Sequence, residues 1–374
     1  MIGIYVHIPF CQAKCAYCDF LSFPQSKVEY GVYVDALLEE ASIYQKLYGS
    51  KAVEADTLFI GGGTPSLLGA VEIARLLKGL RAIFALSTAE ITIEANPGTL
   101  HSENISAWIE GGVNRVSMGA QAFDDSLLEA MGRIHLTADI TAGIKLLRKK
   151  GLKNLSIDLI FGLPEQSIAK WESTLRQAIA LELPHYSVYE LKIEQASRWG
   201  RMGILEQDED VLIAMRELTN RLMMQASRQR YEISNYALVG VESQHNLKYW
   251  QGKEYVGLGL GASSRFADRR YQNTESMNIY FQQIKQNILP VAFEELMPKA
   301  EERAEYMFMG LRKINGISYR AFAQRFGVDL KKLYFDQITK LVGLDLINLG
   351  KTHICLTEQG INLSNQVFLE FLPE

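Results

Sequence analysis

The chain has 374 residues, 48% hydrophobic and 22% charged, a globular composition that excludes disordered, collagen-like and disulfide-scaffolded classes. With 39 Lys and Arg against 43 Asp and Glu the net charge is -4, so no basic excess draws in a nucleic-acid backbone, and no nucleic-acid partner is expected. No apolar run approaches the roughly 20 residues that span a bilayer, and the first residues show neither a basic n-region nor a small-residue cleavage site, so a cytoplasmic, reducing setting is expected.

Short β-branched apolar runs at 2–7, 57–60, 90–95, 115–118, 155–161 and 186–191 alternate with helical patterns at 30–47, 71–83, 103–111, 138–150 and 171–181. Strand-then-helix units in series predict a parallel sheet covered by crossover helices, either doubly wound or a full or partial barrel. Polar residues recur at the carboxyl ends of these strands, the active face of a βα barrel. Past about residue 230 the rhythm changes: 245–250 and 257–264 read as loops, followed by helices over 274–286 and 299–313. The glycine-rich 257–264 stretch lacks the downstream acid of a dinucleotide fingerprint, so a tight turn near a cofactor is expected instead. The C-terminal part predicts helices over 319–326 and 330–341, a hairpin over 346–356 and a last amphipathic helix, the order of a winged helix. Given the charge balance, this unit is expected to pack or cover rather than to bind DNA. The expected boundaries are a core domain at 1–235, a connecting region at 236–300 and a C-terminal α+β domain at 301–374.

Three of the four cysteines, Cys11, Cys15 and Cys18, stand at x3 and x2 spacing in one short loop. Three thiolates so placed can wrap one [4Fe–4S] cubane and leave one iron without a protein ligand. That open position is where a substrate's amine and carboxylate can chelate, as at an open catalytic zinc. A structural zinc site with His7 as fourth ligand, a disulfide, and chance clustering are the rival readings; spacing disfavours the first and the reducing setting the second. Cys355, in a predicted strand, reads as a buried thiol.

Cys-x3-Cys-x2-Cys with an aromatic residue before the last cysteine resembles the radical S-adenosylmethionine (SAM) superfamily. The resemblance implies a cluster that passes one electron to the sulfonium of SAM, releasing methionine and a 5′-deoxyadenosyl radical. Further segments resemble the oxygen-independent coproporphyrinogen III oxidase group along essentially the whole chain. They are Tyr5-Val-His-Ile-Pro-Phe-Cys11, Gly61-Gly-Gly-Thr-Pro65, Ile93-Glu-Ala-Asn-Pro97, Arg115-Val-Ser-Met-Gly-Ala-Gln121, Gly132-Arg133 and Ile157-Asp-Leu-Ile-Phe-Gly-Leu-Pro164. The implied fold is a partial (β/α)6 TIM-type barrel with a small winged-helix-like C-terminal domain.

The same resemblance implies that Gly62, Gly63 and Thr64 meet the methionine part of SAM and that Glu94, Gln121, Arg133 and Asp158 line its site. Tyr5 would pack beside it. Arg133 suits the methionine carboxylate, because a guanidinium fork can grip a carboxylate with two hydrogen bonds.

Within the group, this chain departs from the oxidase pattern in two ways. Phe20 stands where that enzyme has a fourth cysteine, and little chain precedes Tyr5, where the enzyme has a long segment. His245-Asn-x-x-Tyr-Trp250 resembles instead the signature of a haem-chaperone branch of the group, which implies haem as a third cofactor. His245 could ligate haem iron and Tyr249 and Trp250 could wall the porphyrin, or the motif could be a structural turn. The resemblance implies a haem acceptor protein, handover at a membrane to a respiratory protein, and a homodimer. Three functions stay open: haem carrier, coproporphyrinogen III oxidase and iron–sulfur regulator. SAM cleavage is compatible with the first two.

Overall fold

The computed structural model describes residues 1–24, 30–49, 54–86 and 89–373. Six strands, β1 (Ile2–Ile8), β2 (Ala55–Gly62), β3 (Glu90–Ala95), β4 (Arg115–Gln121), β5 (Asn154–Phe161) and β6 (His185–Glu190), lie side by side in chain order and all parallel. Five of the connections carry α1 (Tyr30–Tyr48), α2 (Ala70–Ile83), α3 (Ser102–Glu110), α4 (Thr137–Lys149) and α5 (Ile168–Ile179). The sheet does not close on itself. The outer edge of β1 takes a parallel strand at Tyr255–Leu258, and that of β6 an antiparallel one at Asn235–Ala237. The result is a partial (β/α)6 barrel.

Strand alternation explains why the sheet curves as it does. In β1, Ile2, Ile4, Val6 and Ile8 are buried in one core with α2 residues Ile73, Leu76, Leu77 and Leu80. The intervening Gly3, Tyr5 and His7 face the other way, into the barrel. Each later strand repeats the division: Thr57, Thr92, Arg115, Ser156, Asp158, His185 and Ser187 stand on the inner face, whereas Leu58, Ile93, Val116, Ile157 and Tyr186 join the apolar outer core. The barrel interior is therefore polar, and the apolar burial that stabilises the fold lies between sheet and helices.

Four features differ from the sequence reading. A sixth helix, α6 (Glu209–Gln225), follows β6 and completes the last unit. Its signal was present: Asp208 caps it, and Leu212, Met215, Leu218, Leu222 and Met223 are buried at helical spacing. The expected loop at 245–250 is a helix, α7 (Gln244–Trp250), whose N-terminus is capped by Ser243. The expected loop at 257–264 contributes to two strands, Tyr255–Leu258 and Ser263–Phe266, joined by a turn with Gly259 at φ +99°. Finally, the helix expected over 330–341 breaks at Tyr334 into Leu330–Leu333 and Phe335–Gly343, and the last helix is likewise two short ones, Glu358–Asn362 and Ser364–Leu369.

The C-terminal elements surround a core of their own that includes Met307, Leu311, Phe322, Ile338, Leu341 and Phe368. A three-stranded antiparallel sheet, with His353–Leu356 between Ile317–Ser318 and Ile347–Leu349, completes the winged-helix-like order. Cys355 lies in its middle strand.

One buried carboxylate ties the added hairpin to the barrel. Glu40 on α1 accepts hydrogen bonds from the Gly259 amide at 2.8 Å, Asn273 Nδ2 at 2.7 Å and the Tyr280 hydroxyl at 2.7 Å. Burial pushes Glu40 up to about 7 despite these donors. A carboxyl raised in the folded state keeps its proton on folding, so its favourable contribution is present below pH 4.5 and is lost as the pH rises to about 7. Glu40→Leu strands three donors at once, and its expected cost is at least about 3 kcal/mol in a denaturant titration, since each unmet buried partner costs about 1–3 kcal/mol.

Candidate active site at the strand carboxyl ends

The cysteine loop is held by backbone groups from three directions. Phe10–Cys11 pairs with Phe23–Pro24, the Ala16 amide donates to the Met131 carbonyl at 2.8 Å, and the Ala16 carbonyl accepts from the Trp199 amide at 2.9 Å. From β2, the amides of Gly63 and Thr64 donate to the carbonyls of Ile8 at 2.8 Å and Phe10 at 2.7 Å. A Cβ at Gly63 would stand 2.6 Å from the Phe10 oxygen and 3.0 Å from Cys11 Sγ, so only glycine fits here. Gly62, at φ +108°, lies against the His7 ring. Burial keeps His7 neutral, pulling it below its ordinary value. Its Nε2 proton goes to the Leu21 carbonyl at 2.8 Å, and its Nδ1 accepts from the Tyr5 hydroxyl at 3.0 Å. His7 is thus spent on framing the loop rather than on a metal.

Above this frame opens a cavity of about 450 Å³, lined by Cys11, Cys15, Cys18, Gly62, Gly63, Thr64, Glu94, Gln121, Arg133 and Asp158. These are the residues that the sequence pointed to, save Tyr5 and His245. Tyr5 lies beneath the cavity on the inner face of β1, stacked on Phe59 at 6.3 Å. Gln121 reaches the cavity because the register of β4 against β5 shifts between Gly119 and Gln121, which takes φ +66° there and re-aims its side chain.

Two carboxylates face each other in this interior. Glu94 accepts from the Gly62 amide at 3.0 Å, and Asp158 accepts from the Ser117 hydroxyl at 3.0 Å. Burial, then the nearby Asp158 charge, pushes Glu94 up to about 8; burial also raises Asp158. Arg115, almost wholly buried one layer below, is felt by both acids and holds both shifts down, while its Nε has no partner among the described residues. Burial pushes the Cys18 thiol up to about 11.

Two lining or supporting residues, Tyr189 and Ser117, were not singled out by the sequence reading, and Tyr17 entered it only as the aromatic residue of the cysteine motif. Tyr189, at the end of β6, lines the cavity, and burial and then the Asp158 charge raise its hydroxyl. Ser117 orients Asp158, and Tyr17 lies under the cysteine loop beside the Trp199 ring at 6.2 Å. Tyr189 was legible by alternation from His185 and Ser187, and Tyr17 is the aromatic residue before the last cysteine that marks the motif.

His245 is not brought to this cavity. It lies at the opposite, amino-terminal end of the strands, 1% exposed, against Gly3 and Thr57. Both ring nitrogens are taken, Nδ1 by the Thr57 hydroxyl at 2.8 Å and Nε2 by the Tyr249 hydroxyl at 2.8 Å, and the ring stacks on Phe59 at 5.3 Å. Burial, with the Lys248 and Arg115 charges, pushes its pKa down to about 3. Neither nitrogen is open to iron in this arrangement. Trp250 instead meets the C-terminal unit, where Arg312 lies 5.1 Å over its ring and 5.3 Å over that of Phe368.

A parallel barrel with a three-cysteine loop, a glycine cradle and acids at its strand ends defines the radical SAM class, and residues 5–178 match the Radical SAM superfamily. Residues 297–363 match the HemN C-terminal domain. The heme chaperone HemW of Lactococcus lactis subsp. lactis (strain IL1403) is 35% identical over 98% of this chain and 96% of its own length. HemW of Bacillus subtilis (strain 168) is 34% identical over the full length of both, and that of Escherichia coli (strain K12) 40% identical over 73% of each. Among solved structures, coproporphyrinogen III oxidase (HemN) from Escherichia coli superposes with a TM-score of 0.86 over 99% of this chain and 89% of its own, at 22% identity, a likeness of fold. The chain belongs to the HemW family of radical SAM proteins.

The residues present fit the cluster and SAM that this class implies. Among the described residues no three His, Cys, Asp or Glu side chains converge on a single-ion site, whereas a cubane spreads its ligands over separate irons. The donors around the sulfurs are suited to anionic thiolates: the Thr64 hydroxyl lies 3.6 Å from Cys11 Sγ, and Arg133 Nη1 3.5 Å from Cys15 Sγ.

His245→Ala is expected to cost about 2–4 kcal/mol of stability, the scale of a lost buried ring plus two stranded hydroxyls. Urea unfolding checks the cost, and an iron and sulfide assay on the folded variant should find the wild-type content.

Proposed function

We propose that this chain is a haem chaperone, which binds haem and passes it to an acceptor protein from a radical SAM scaffold carrying a [4Fe–4S] cluster and SAM. The observation that carries the reading is end-to-end likeness to proteins named HemW, through barrel, connecting region and C-terminal unit alike. Phe20 in place of a fourth cysteine, 65% exposed at the cavity rim, supports it over porphyrin oxidation. The domain division proposed is the barrel at 1–235, the connecting region at 236–300 and the C-terminal unit at 301–374.

In this reading Cys11, Cys15 and Cys18 hold the cluster, whose open iron supplies a chelation point for SAM. Gly62, Gly63 and Thr64 offer backbone close to the methionine moiety, and Gln121 its amide. Glu94 and Asp158 supply negative charge for a ligand that carries a sulfonium. Tyr5 acts from below, through His7. No helix among the described residues is long and apolar enough to cross a membrane; a cytoplasmic protein that meets a membrane acceptor peripherally, as a homodimer, accords with the chemistry of handover.

Haem titration of the cluster-reconstituted protein, followed at the Soret band, tests the proposal. Saturation near one haem per chain with no conversion of coproporphyrinogen III in the presence of SAM and reductant is the expected outcome. Turnover without saturable haem binding would return the chain to the oxidases.

The acid pair adds a pH dependence. Glu94, raised to about 8, is neutral below that pH and negative above it, so affinity for cationic SAM should rise as the pH passes through about 8. Calorimetry across pH 6.5–9 on Glu94→Gln should show that rise flattened, with weaker binding at the alkaline end.

A further inference from the structure

Arg133 commits its guanidinium to the protein before any ligand arrives. Nη2 donates to the Gly119 carbonyl at 2.6 Å, Nη1 donates to Cys15 Sγ at 3.5 Å, and Nε has no partner among the described residues. The Gly119 carbonyl belongs to the shifted end of β4, and a Cβ at Gly119 would stand 3.3 Å from Nη2, so strand and arginine are fitted to each other. Tyr17 completes the group: it stands between Cys15 and Cys18, lines the same cavity as Arg133, and feels the charges of both Arg133 and Cys15. Among the described residues neither of the other two sulfurs accepts a hydrogen bond from a cation, although the Lys14 charge is felt at Cys18. Cys11 is met by the Thr64 hydroxyl, and Lys14, beside the loop, donates to the Phe20 carbonyl at 3.0 Å. A guanidinium that only waited for a carboxylate would not need its fork divided between a strand end and a cysteine.

We propose that Arg133 and Tyr17 act as positioning residues on Cys15 that set the reduction potential of the cluster, a role separate from any grip on SAM. Reduction by one electron from an external donor such as dithionite makes and breaks no bond, and it leaves the cluster and its thiolates one unit more negative. A fixed cation at a ligand sulfur, with a hydroxyl close by, stabilises that state more than the oxidised one and so raises the potential. The inference rests on the cluster reading above.

The experiment is an anaerobic redox titration of the full-length reconstituted protein, followed by electron paramagnetic resonance without SAM, on wild type, Arg133→Gln, Arg133→Lys and Tyr17→Phe. At the potential where half of the wild-type cluster is reduced, Arg133→Gln should show a reduced-to-oxidised ratio about tenfold lower, equivalent to 59 mV for one electron. Arg133→Lys and Tyr17→Phe should shift the same way by less. An unchanged Arg133→Gln potential overturns the inference, even if SAM binding weakens, and leaves the haem-chaperone reading standing. Should Arg133→Gln fail to retain iron and sulfide, unchanged potentials in the other two variants overturn it. A wild type that binds neither iron nor sulfide removes the cluster reading itself.

Discussion

The whole site hangs on a contact between two pieces of backbone. The end of β2 runs so close to the segment leaving β1 that the Gly63 and Thr64 amides bond to the Ile8 and Phe10 carbonyls, with no room for a side chain between them. Cys11 follows directly, so the first cysteine is placed by the sheet rather than by the loop that carries the other two. His7 fills the space beneath Gly62 and reaches forward to the Leu21 carbonyl. The loop from Cys11 to Leu21 is therefore pinned at both ends by residues of β1. A metal centre built this way needs little ordering when it loads, because its anchor belongs to the best-packed part of the fold.

The barrel around that anchor inverts the usual economy of a parallel sheet. Interiors of closed βα barrels are commonly filled by branched apolar side chains. Here the inner face carries Thr57, Thr92, Arg115, Ser117, Ser156, Asp158, His185 and Ser187, and the main apolar core lies between the sheet and its helices. The arrangement tolerates two carboxylates close together because hydrogen-bond donors and one buried arginine stand beneath them. Their remaining negative character is directed upward, into the only direction left open, which is where a cationic ligand would arrive. The polar interior and the acidic floor of the cavity are thus one feature seen from two ends.

Most of this was legible in the sequence because strand period and strand-end chemistry coincide. The six strands and five of the flanking helices follow from hydrophobic rhythm, and the cavity residues follow from motifs lying just past each strand. What escaped has a physical reason in each case. The left-handed turn at Gln121 depends on a register shift against β5, which no local pattern encodes. Helix α6 carries its cap and spacing in the sequence, but charged residues interleave its apolar stripe and blunt the contrast. The break at Tyr334 leaves no proline or glycine to mark it. The polar half of each strand was visible too, but alternation shows only that two faces differ, not which of them lies inside.

The His245–Trp250 motif shows why a recognisable pattern underdetermines its chemistry. A histidine and two aromatics at helical spacing suit a porphyrin pocket and a packed joint equally well on paper. Helix geometry brings residues four apart onto one face, so Tyr249 comes to rest on His245 itself and takes its Nε2. With Thr57 on the other nitrogen, the imidazole becomes a bridge between the bottom of the barrel and the helix. Trp250, on another face of that helix, stacks under Arg312 and hands the contact on to Phe368 of the C-terminal unit. The motif thus makes a continuous line from β2 to the winged-helix-like core, at the end of the barrel away from the cluster.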